Sequence, residues 1–394
     1  MNDMMMQYRQ RAWAEISLDA LFHNVQVIQE RLSGKTQYCA VVKADAYGHG
    51  EEYVCKALYE SGVRFYAVSS LEEAVRVRRW CPDGEILILG YTAPECAPIL
   101  AEKNILQAIV SVDYARNLSN CAQPGHAVRC HVKLDTGMGR IGIRTGDETA
   151  CMQELKEIFS LRGLKAEGLF THFAVADEDA PIHQAYTEQQ EKMIFSVAEK
   201  LRAEGIVLKH VHCMNSAAIC YHNQPESTLA RAGIIMYGLM PNANLDMPLD
   251  LEPVLSFRTR ISHIKTVQPG DCISYGRTYQ AKETRRIATV TIGYADGYSR
   301  LLSNKGQMLV NGIRCPIVGR VCMDQTMIDI TDVPNPVVGT VVTLIGQDGN
   351  DCITADELAS IYGTIGYEVV CGISKRVPRI FLRNHKMIHE DSLI

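Results

Sequence analysis

The sequence predicts an α/β chain: an N-terminal (β/α)8 TIM-type barrel over residues 1–245, followed by a C-terminal mostly-β domain over 246–394. Three observations carry this reading. Short β-branched runs alternate with helical patterns over the first part of the chain. From about residue 245 helical segments nearly vanish and two-residue alternation replaces them. With 394 residues there is enough chain for two cores.

Eight apolar runs are the expected barrel strands: 38–44, 64–70, 85–91, 106–112, 127–135, 164–173, 208–216 and 229–238. Helical patterns lie between them, such as "EEAVRVRRW", "DETACMQELKEIF" and "YTEQQEKMIFSVAEKLRAEG", the last ending on a glycine suited to a helix C-terminus. Eight strands alternating with helices is the arithmetic of a closed barrel. An open, doubly wound sheet is the alternative, because strand count does not establish closure. In the second part, "SFRTRISHIKTV", "RRIATVTIGY" and "TVVTLIG" read as strands. The segments 268–271, 310–313 and 347–350 read as hairpin turns, and "TADELASIYG" (354–363) as a helix capped by threonine. The proline-bearing "MPLDLEPV" (247–254) is the expected crossing.

Bulk properties exclude several classes. A formal charge of −5 offers no basic footprint for nucleic acid and no polybasic membrane patch. No apolar run approaches the length of a bilayer span. The start, "MNDMMMQYRQRAWAE", lacks the apolar core of a secretion signal, so a cytoplasmic protein is expected. The 14 cysteines include no Cys-x-x-Cys and sit inside apolar runs, so they read as small buried hydrophobes. His210, His212 and Cys213 are close in sequence, but strand alternation separates neighbours, and no metal is expected.

Barrel active sites form where strands end. The first run ends in Lys43, with Tyr47 just beyond. The fifth carries Lys133 and leads to Asp135 and Arg140. The sixth ends in His172, the seventh in Asn215-Ser216, and the eighth holds Arg231 before Gly233-Ile234. Each alone has an ordinary reading: an exposed lysine, a structural histidine, an arginine paired with a carboxylate. Together on one rim they suit an anionic, phosphorylated ligand that offers a carbonyl to an amine. Pyridoxal phosphate has that chemistry, since its aldehyde condenses with a desolvated lysine while hydroxyls and backbone N–H groups hold its phosphate. "GMGRIG" (137–142) matches a dinucleotide fingerprint, but such a fold needs a helix opening inside the motif, and here any helix starts at the Asp147 cap or later.

"AVVKADAYGHG" resembles the pyridoxal-phosphate attachment segment of bacterial alanine racemases. So do "WAEISLDAL", "VKLDTGMGRIG", "FTHFAVADE", "NSAA", "RAGIIMYG", "ISYGRTY", "IGYADGYSR", "GRVCMDQTMIDIT" and "TIGYEVVCGISKRVPRIF", in the same order. The resemblance implies a cytoplasmic isomerase that interconverts L- and D-alanine and supplies D-alanine for peptidoglycan. It also implies a homodimer with shared active sites. Lys43 would be the Schiff-base lysine and one of two catalytic bases, and Tyr275 from the partner subunit would be the other. Arg231 would face the pyridine nitrogen, and His172 would link Tyr275 to Arg231. Tyr47, Ser216, Tyr367 and the backbone of Gly233 and Ile234 would hold the phosphate. Arg140 would orient the substrate, with Lys133 carbamylated to support it. Tyr294, Met323 and Asp324 would line the entrance and substrate pocket. Met214 departs from the family, which more often has a small residue before Asn-Ser.

The chemistry of these roles is coherent. Racemisation removes a proton from one face of Cα and returns it to the other, so two opposed bases suffice. Tyrosine, with a free pKa of about 10, needs neighbours that favour its phenolate. Arginine does not give up its proton, so a pyridine nitrogen beside it stays unprotonated. The competing readings are a serine or broad-specificity racemase of the same fold, a non-catalytic pyridoxal-phosphate-binding protein, and an amino-acid decarboxylase. Tyr367 argues against serine, whose racemases tend to carry a smaller side chain there. Tyr275 and "VCMD" argue against the binding protein, and "VKLDTGMGRIG" and "SYGRTY" against the decarboxylase.

Overall fold

A computed structural model describes residues 11–32, 34–222 and 226–391. The methionine-rich start, read above for targeting, lies outside them up to residue 10. Two compact units make up the chain: an α/β unit of Phe22–Ala46 and Glu51–Leu251, and a β-rich unit of residues 11–21, Tyr47–Gly50 and 252–391. The expected limits differ from this division at the N-terminal end: the first strand, β1 (Ala12–Ser17), and the tetrapeptide 47–50 group with the β-rich unit. The physical reason is pairing. Strand β1 hydrogen-bonds to strands more than two hundred residues away, not to the barrel.

The α/β unit follows helix α1 (Leu18–Arg31), which begins in the other unit. Its strands are β2 (Gln37–Val41), β3 (Phe65–Val68), β4 (Glu85–Ile88), β5 (Leu106–Ile109), β6 (Val128–Asp135), β7 (Leu164–Phe170), β8 (His210–His212) and β9 (Leu229–Ala232). All eight expected runs are strands, each parallel to its neighbour in the order β9-β2-β3-β4-β5-β6-β7-β8. A Met214–Ala230 bridge, with Arg231 N–H donating to the Met214 carbonyl (3.2 Å), joins the two ends. That contact decides for the barrel over the open sheet.

Helices α2 (Glu51–Glu60), α3 (Leu71–Trp80), α4 (Ala97–Glu102), α5 (Val112–Cys121), α6 (Glu148–Ser160), α7 (Pro181–Ala203) and α8 (Ser216–Tyr221) alternate with the strands. Their starts are read from local chemistry. Ser70, Ser111 and Asp147 accept the N–H three residues on, and Pro181 opens α7 where a missing N–H costs nothing. Between β6 and β7 the register slips by one residue at His131. Gly168 lies there, and a Cβ on it would stand 2.4 Å from the His131 ring.

The β-rich unit is a mixed sheet. Its strands are β10 (Leu255–Val267), β11 (Arg285–Val290), β12 (Gln307–Val310), β13 (Ile313–Pro316), β14 (Thr326–Asp329), β15 (Val341–Asp348), β16 (Arg379–Arg383) and β17 (Lys386–Asp391). The order is β13-β12-β15-β10-β1-β16-β17, with β11 pairing β10 and β14. Strand β1 is interior, antiparallel to β10 and parallel to β16. The expected turn at 310–313 closes β12–β13 with Asn311 and Gly312 both at positive φ, a turn whose twist matches a hairpin. Helix α9 (Ala355–Tyr362) has its Thr354 cap, and α10 (Gly366–Cys371) follows. Among the described residues no helix is long and apolar enough to cross a membrane.

The barrel interior tolerates no extra methyl beside His131. Gly168→Ala is expected to cost about 1–3 kcal/mol, the usual penalty of overpacking, read as a lower Tm by circular dichroism.

Candidate active site

The barrel strands deliver the rim residues at or near their C-terminal ends. Strand β2 is buried to Val41, and the half-buried Lys43 follows it. The backbone then turns left-handed: Ala44, Asp45, Ala46 and Tyr47 all have φ between 53° and 57°, and Ala46 N–H donates to the Val42 carbonyl (3.0 Å).

Arg231, on β9 and 4% exposed, organises the rim. Its Nη2 donates to the carbonyls of Thr171 (2.8 Å) and Cys213 (3.1 Å) and reaches His172 Nδ1 at 3.3 Å; Nη1 donates to His212 Nδ1 (2.8 Å). No carboxylate is among these acceptors. A guanidinium only donates, so both imidazoles accept on Nδ1 and carry their protons on Nε2. His172 and His212 are held neutral, their pKa values pushed well down by burial first and by the Arg231 charge second. The Nε2–H of His172 is thereby free to serve as a donor. That of His212 donates to His131 Nδ1 (3.0 Å), which continues the tautomer order into the barrel core. Phe170 stacks on His212 with ring centroids 5.0 Å apart, and Arg231 and Lys133 lie over its ring at 5.8 and 5.7 Å.

Lys133, on β6, is 2% exposed. Burial lowers its pKa to about 7, helped by the Arg231 and Arg140 charges and opposed by Asp135. Its Nζ donates to the Leu134 carbonyl (2.5 Å). Arg140 is exposed, in the loop after β6. There Asp135 accepts the N–H groups of Gly137 (3.2 Å) and Gly139 (2.9 Å). This loop is the "GMGRIG" segment. It contains no helix start, and α6 begins at Glu148. At the end of β9, Gly233 N–H donates to the buried Ser216 hydroxyl (3.0 Å), just before the 3₁₀ turn Ile234–Tyr237. Met214 is buried, its backbone making the bridge that joins the barrel ends.

The remaining candidates lie in the β-rich unit. Tyr47 is buried, its phenol pKa raised by burial, and its ring lies 6.2 Å from that of the half-buried Tyr367. Gly48, at φ +81°, sits where a Cβ would meet the Val370 carbonyl at 2.4 Å. Tyr275 is 71% exposed, in a turn between Cys272–Ile273 and Tyr279–Gln280. Ile273 and Tyr279 anchor that hairpin in a small core with Val267, Ile287, Val318 and Met327. Tyr294 and Met323 are also exposed, and the Tyr294 N–H donates to the Cys322 carbonyl (3.0 Å). Asp324 accepts from Arg376 Nη2 (2.9 Å).

Three contributors escaped sequence reading. The sequence sets His212 near His210 and Cys213 and gives it neither a metal nor a site role, yet it orients Arg231. Asp296, fully buried, accepts from Arg11, Arg376 and the Gly293 N–H, and so shapes the turn bearing Tyr294. Glu73 on α3 binds backbone next to Lys43. The cysteines are free thiols, and the reading of them as buried hydrophobes holds for eight; Cys96, Cys121, Cys272, Cys322 and Cys352 are half-buried and Cys371 is exposed.

A barrel whose rim gathers a lysine, a buried arginine, neutral imidazoles and a hydroxyl–amide cradle, joined to a β-rich unit, is the plan of a two-domain barrel enzyme. The profile "Alanine racemase, N-terminal domain" matches residues 16–241, and "Alanine racemase, C-terminal domain" matches residues 254–381. The chain is 41% identical over 389 residues to the alanine racemase of Clostridium novyi, covering 98% of each. It is 43% identical over 368 residues to that of Halothermothrix orenii, covering 93% of this chain and 96% of the relative. The crystal structure of the Bacillus anthracis alanine racemase with bound L-Ala-P superposes with a TM-score of 0.90 at 39% identity, covering 97% and 98%. That of the Clostridium difficile enzyme in complex with cycloserine gives 0.88 at 36%, covering 98% and 99%. The chain belongs to the alanine racemase family.

The depressed pKa of Lys133 has a signed consequence for stability. Between about 7 in the folded chain and about 10.4 unfolded, the unfolded state binds the extra proton, so stability rises with pH across that window. In carbonate-free buffer, Lys133→Met is expected to remove this rise, seen by comparing urea midpoints of the two proteins from pH 7 to 10.

Proposed function

We propose that this chain binds pyridoxal phosphate and interconverts L- and D-alanine by two opposed bases, Lys43 and Tyr275 of the partner subunit. The observation that carries the reading is Arg231, a buried guanidinium whose rim acceptors are imidazoles and carbonyls. Such a group is a permanent donor for a ring nitrogen and never passes it a proton. The donor set suits the cofactor: an amine at Lys43, the Ser216 hydroxyl beside the Gly233 N–H, and phenols at Tyr47 and Tyr367 for its phosphate. When bound, pyridoxal phosphate would supply an aldehyde for the substrate amine and an electron sink that makes the Cα proton acidic.

The residues then have separate tasks. Lys43 Nζ takes or returns the proton on one face of Cα, and Tyr275 Oη of the partner subunit acts on the other. His172, neutral and protonated on Nε2, is the donor that favours the phenolate of that tyrosine. Arg140 orients the substrate carboxylate. Lys133, with its amine largely neutral above pH 7, adds carbon dioxide: an N–C bond forms, a proton leaves to solvent, and the resulting carbamate anion supports Arg140. The exposure of Tyr275, Tyr294 and Met323 supports a homodimer in which the β-rich unit completes the partner's site. The ring of Tyr367 favours the methyl of alanine over the larger side chain of serine. D-alanine made in the cytoplasm would serve cell-wall peptidoglycan.

The test is α-proton exchange in heavy water with added pyridoxal phosphate, with L-alanine and L-serine in separate tubes. Deuterium incorporation with D-isomer in the alanine tube supports the reading. Faster turnover of serine would move the substrate and keep the chemistry. Silence in both would overturn it. Lys43→Ala is expected to lose at least about a thousandfold in racemisation. Tyr275→Phe is expected to leave exchange from one enantiomer without inversion, seen by chiral chromatography of the deuterated product.

A further inference from the structure

We infer that Glu73 is a positioning residue for Lys43, an inference that rests on the function proposed for that lysine. The backbone after Lys43 holds a conformation that L-residues avoid: Ala44, Asp45, Ala46 and Tyr47 are four consecutive non-glycine residues near φ +55°. Left-handed backbone costs about 1–2 kcal/mol per L-residue, and runs of it are rare. Something must hold the turn against relaxation, and the first amide of any helical turn has no acceptor within the turn. Here Ala44 N–H, the peptide leaving Lys43, donates to Glu73 Oε1 (2.8 Å). The other oxygen, Oε2, accepts Ser69 N–H (2.7 Å) at the end of β3. One carboxylate thus pins the lysine's own peptide to the adjacent barrel strand. Charge-assisted bonds of this kind are about twice as strong as neutral ones.

The rest of the turn is fastened independently. Asp45 Oδ1 accepts Glu51 N–H (2.8 Å), the first amide of α2. Glu51 itself pairs with Arg76 on α3, one turn beyond Glu73. The Glu73 N–H donates to the Ser70 hydroxyl that caps the helix (3.3 Å), so its helix end is set without its carboxylate. A helix-capping residue would reach back to the cap's amide. Glu73 instead reaches past it to Ser69 and across to the lysine. The carboxylate therefore serves the turn and not its own helix.

The experiment compares Glu73→Gln and Glu73→Ala with Glu72→Gln, which alters the neighbouring position of the same helix turn. The amide of Glu73→Gln keeps one acceptor oxygen and loses the second, and it guards against a Glu73→Ala that fails to fold. In each protein the readouts are kcat, KM for alanine, Tm, and the fraction of Lys43 labelled when borohydride reduces bound pyridoxal phosphate onto it, measured by peptide mass. Misplacing a reacting group by about 1 Å costs on the order of a hundredfold in rate. The expected result for Glu73→Gln is a fall in kcat of about 10- to 100-fold with little change in KM, and slower labelling of Lys43. Glu72→Gln and the unsubstituted protein should match each other. Unchanged kcat and labelling in Glu73→Gln would overturn the inference. So would a fall in kcat accompanied by an equal fall in Tm for Glu72→Gln and Glu73→Gln. Failure to label Lys43 in the unsubstituted protein would overturn instead the function on which the inference rests.

Discussion

The buried charge of Arg231 is the constraint from which the rim follows. A guanidinium removed from water needs acceptors, and here the carbonyls of Thr171 and Cys213 and the imidazoles of His212 and His172 meet its Nη1 and Nη2. Uncompensated by a carboxylate among these partners, its charge reaches its neighbours. It opposes protonation of His172 and His212 and adds to the burial that lowers the Lys133 pKa toward neutrality. The same donor direction orders the tautomers as far as His131, and Gly168 leaves the space that ring occupies. Charge, tautomer and packing are thus one arrangement, and a change at any of them is felt at the others.

A second arrangement, in backbone rather than charge, governs the segment after Lys43. Left-handed turns are disfavoured, so this one persists only because its amides and carboxylates are over-determined by neighbours. In the β-rich unit, Arg379 performs the corresponding service, donating to the Gly48 carbonyl (3.1 Å) and to the carbonyls of Ile373, Ser374 and Val377. The loop carrying Tyr47 is therefore held in place partly by a buried arginine that donates to backbone carbonyls.

The parts legible in the sequence were those written in local periodicity. All eight barrel strands, the Asp147 and Thr354 caps and the Asn311-Gly312 hairpin depend on residues within a few positions of each other. The rim residues were legible because the barrel fixes where strands end. Three features were not. The partners of β1 lie far along the chain, so its own six residues cannot say which sheet receives it. The left-handed turn contains alanines, which carry no signal for positive φ. His212 was given no role in the site because spacing alone does not reveal that Arg231, 19 residues on, occupies its Nδ1.

The position of β1 bears on how such a chain is made. A strand from residues 12–17 must wait on the ribosome until β10 has emerged, some 240 residues later, and again for β16 near the C-terminus. At about 5–20 residues per second, that wait is on the order of tens of seconds. Throughout it the apolar face of β1 has no sheet to join, and the barrel, which closes through β9 against β2, is complete in the chain before β16 emerges. Folding of the β-rich unit is therefore a late event that draws both ends of the chain together, and a nascent chain halted short of β16 leaves a central strand with one open edge.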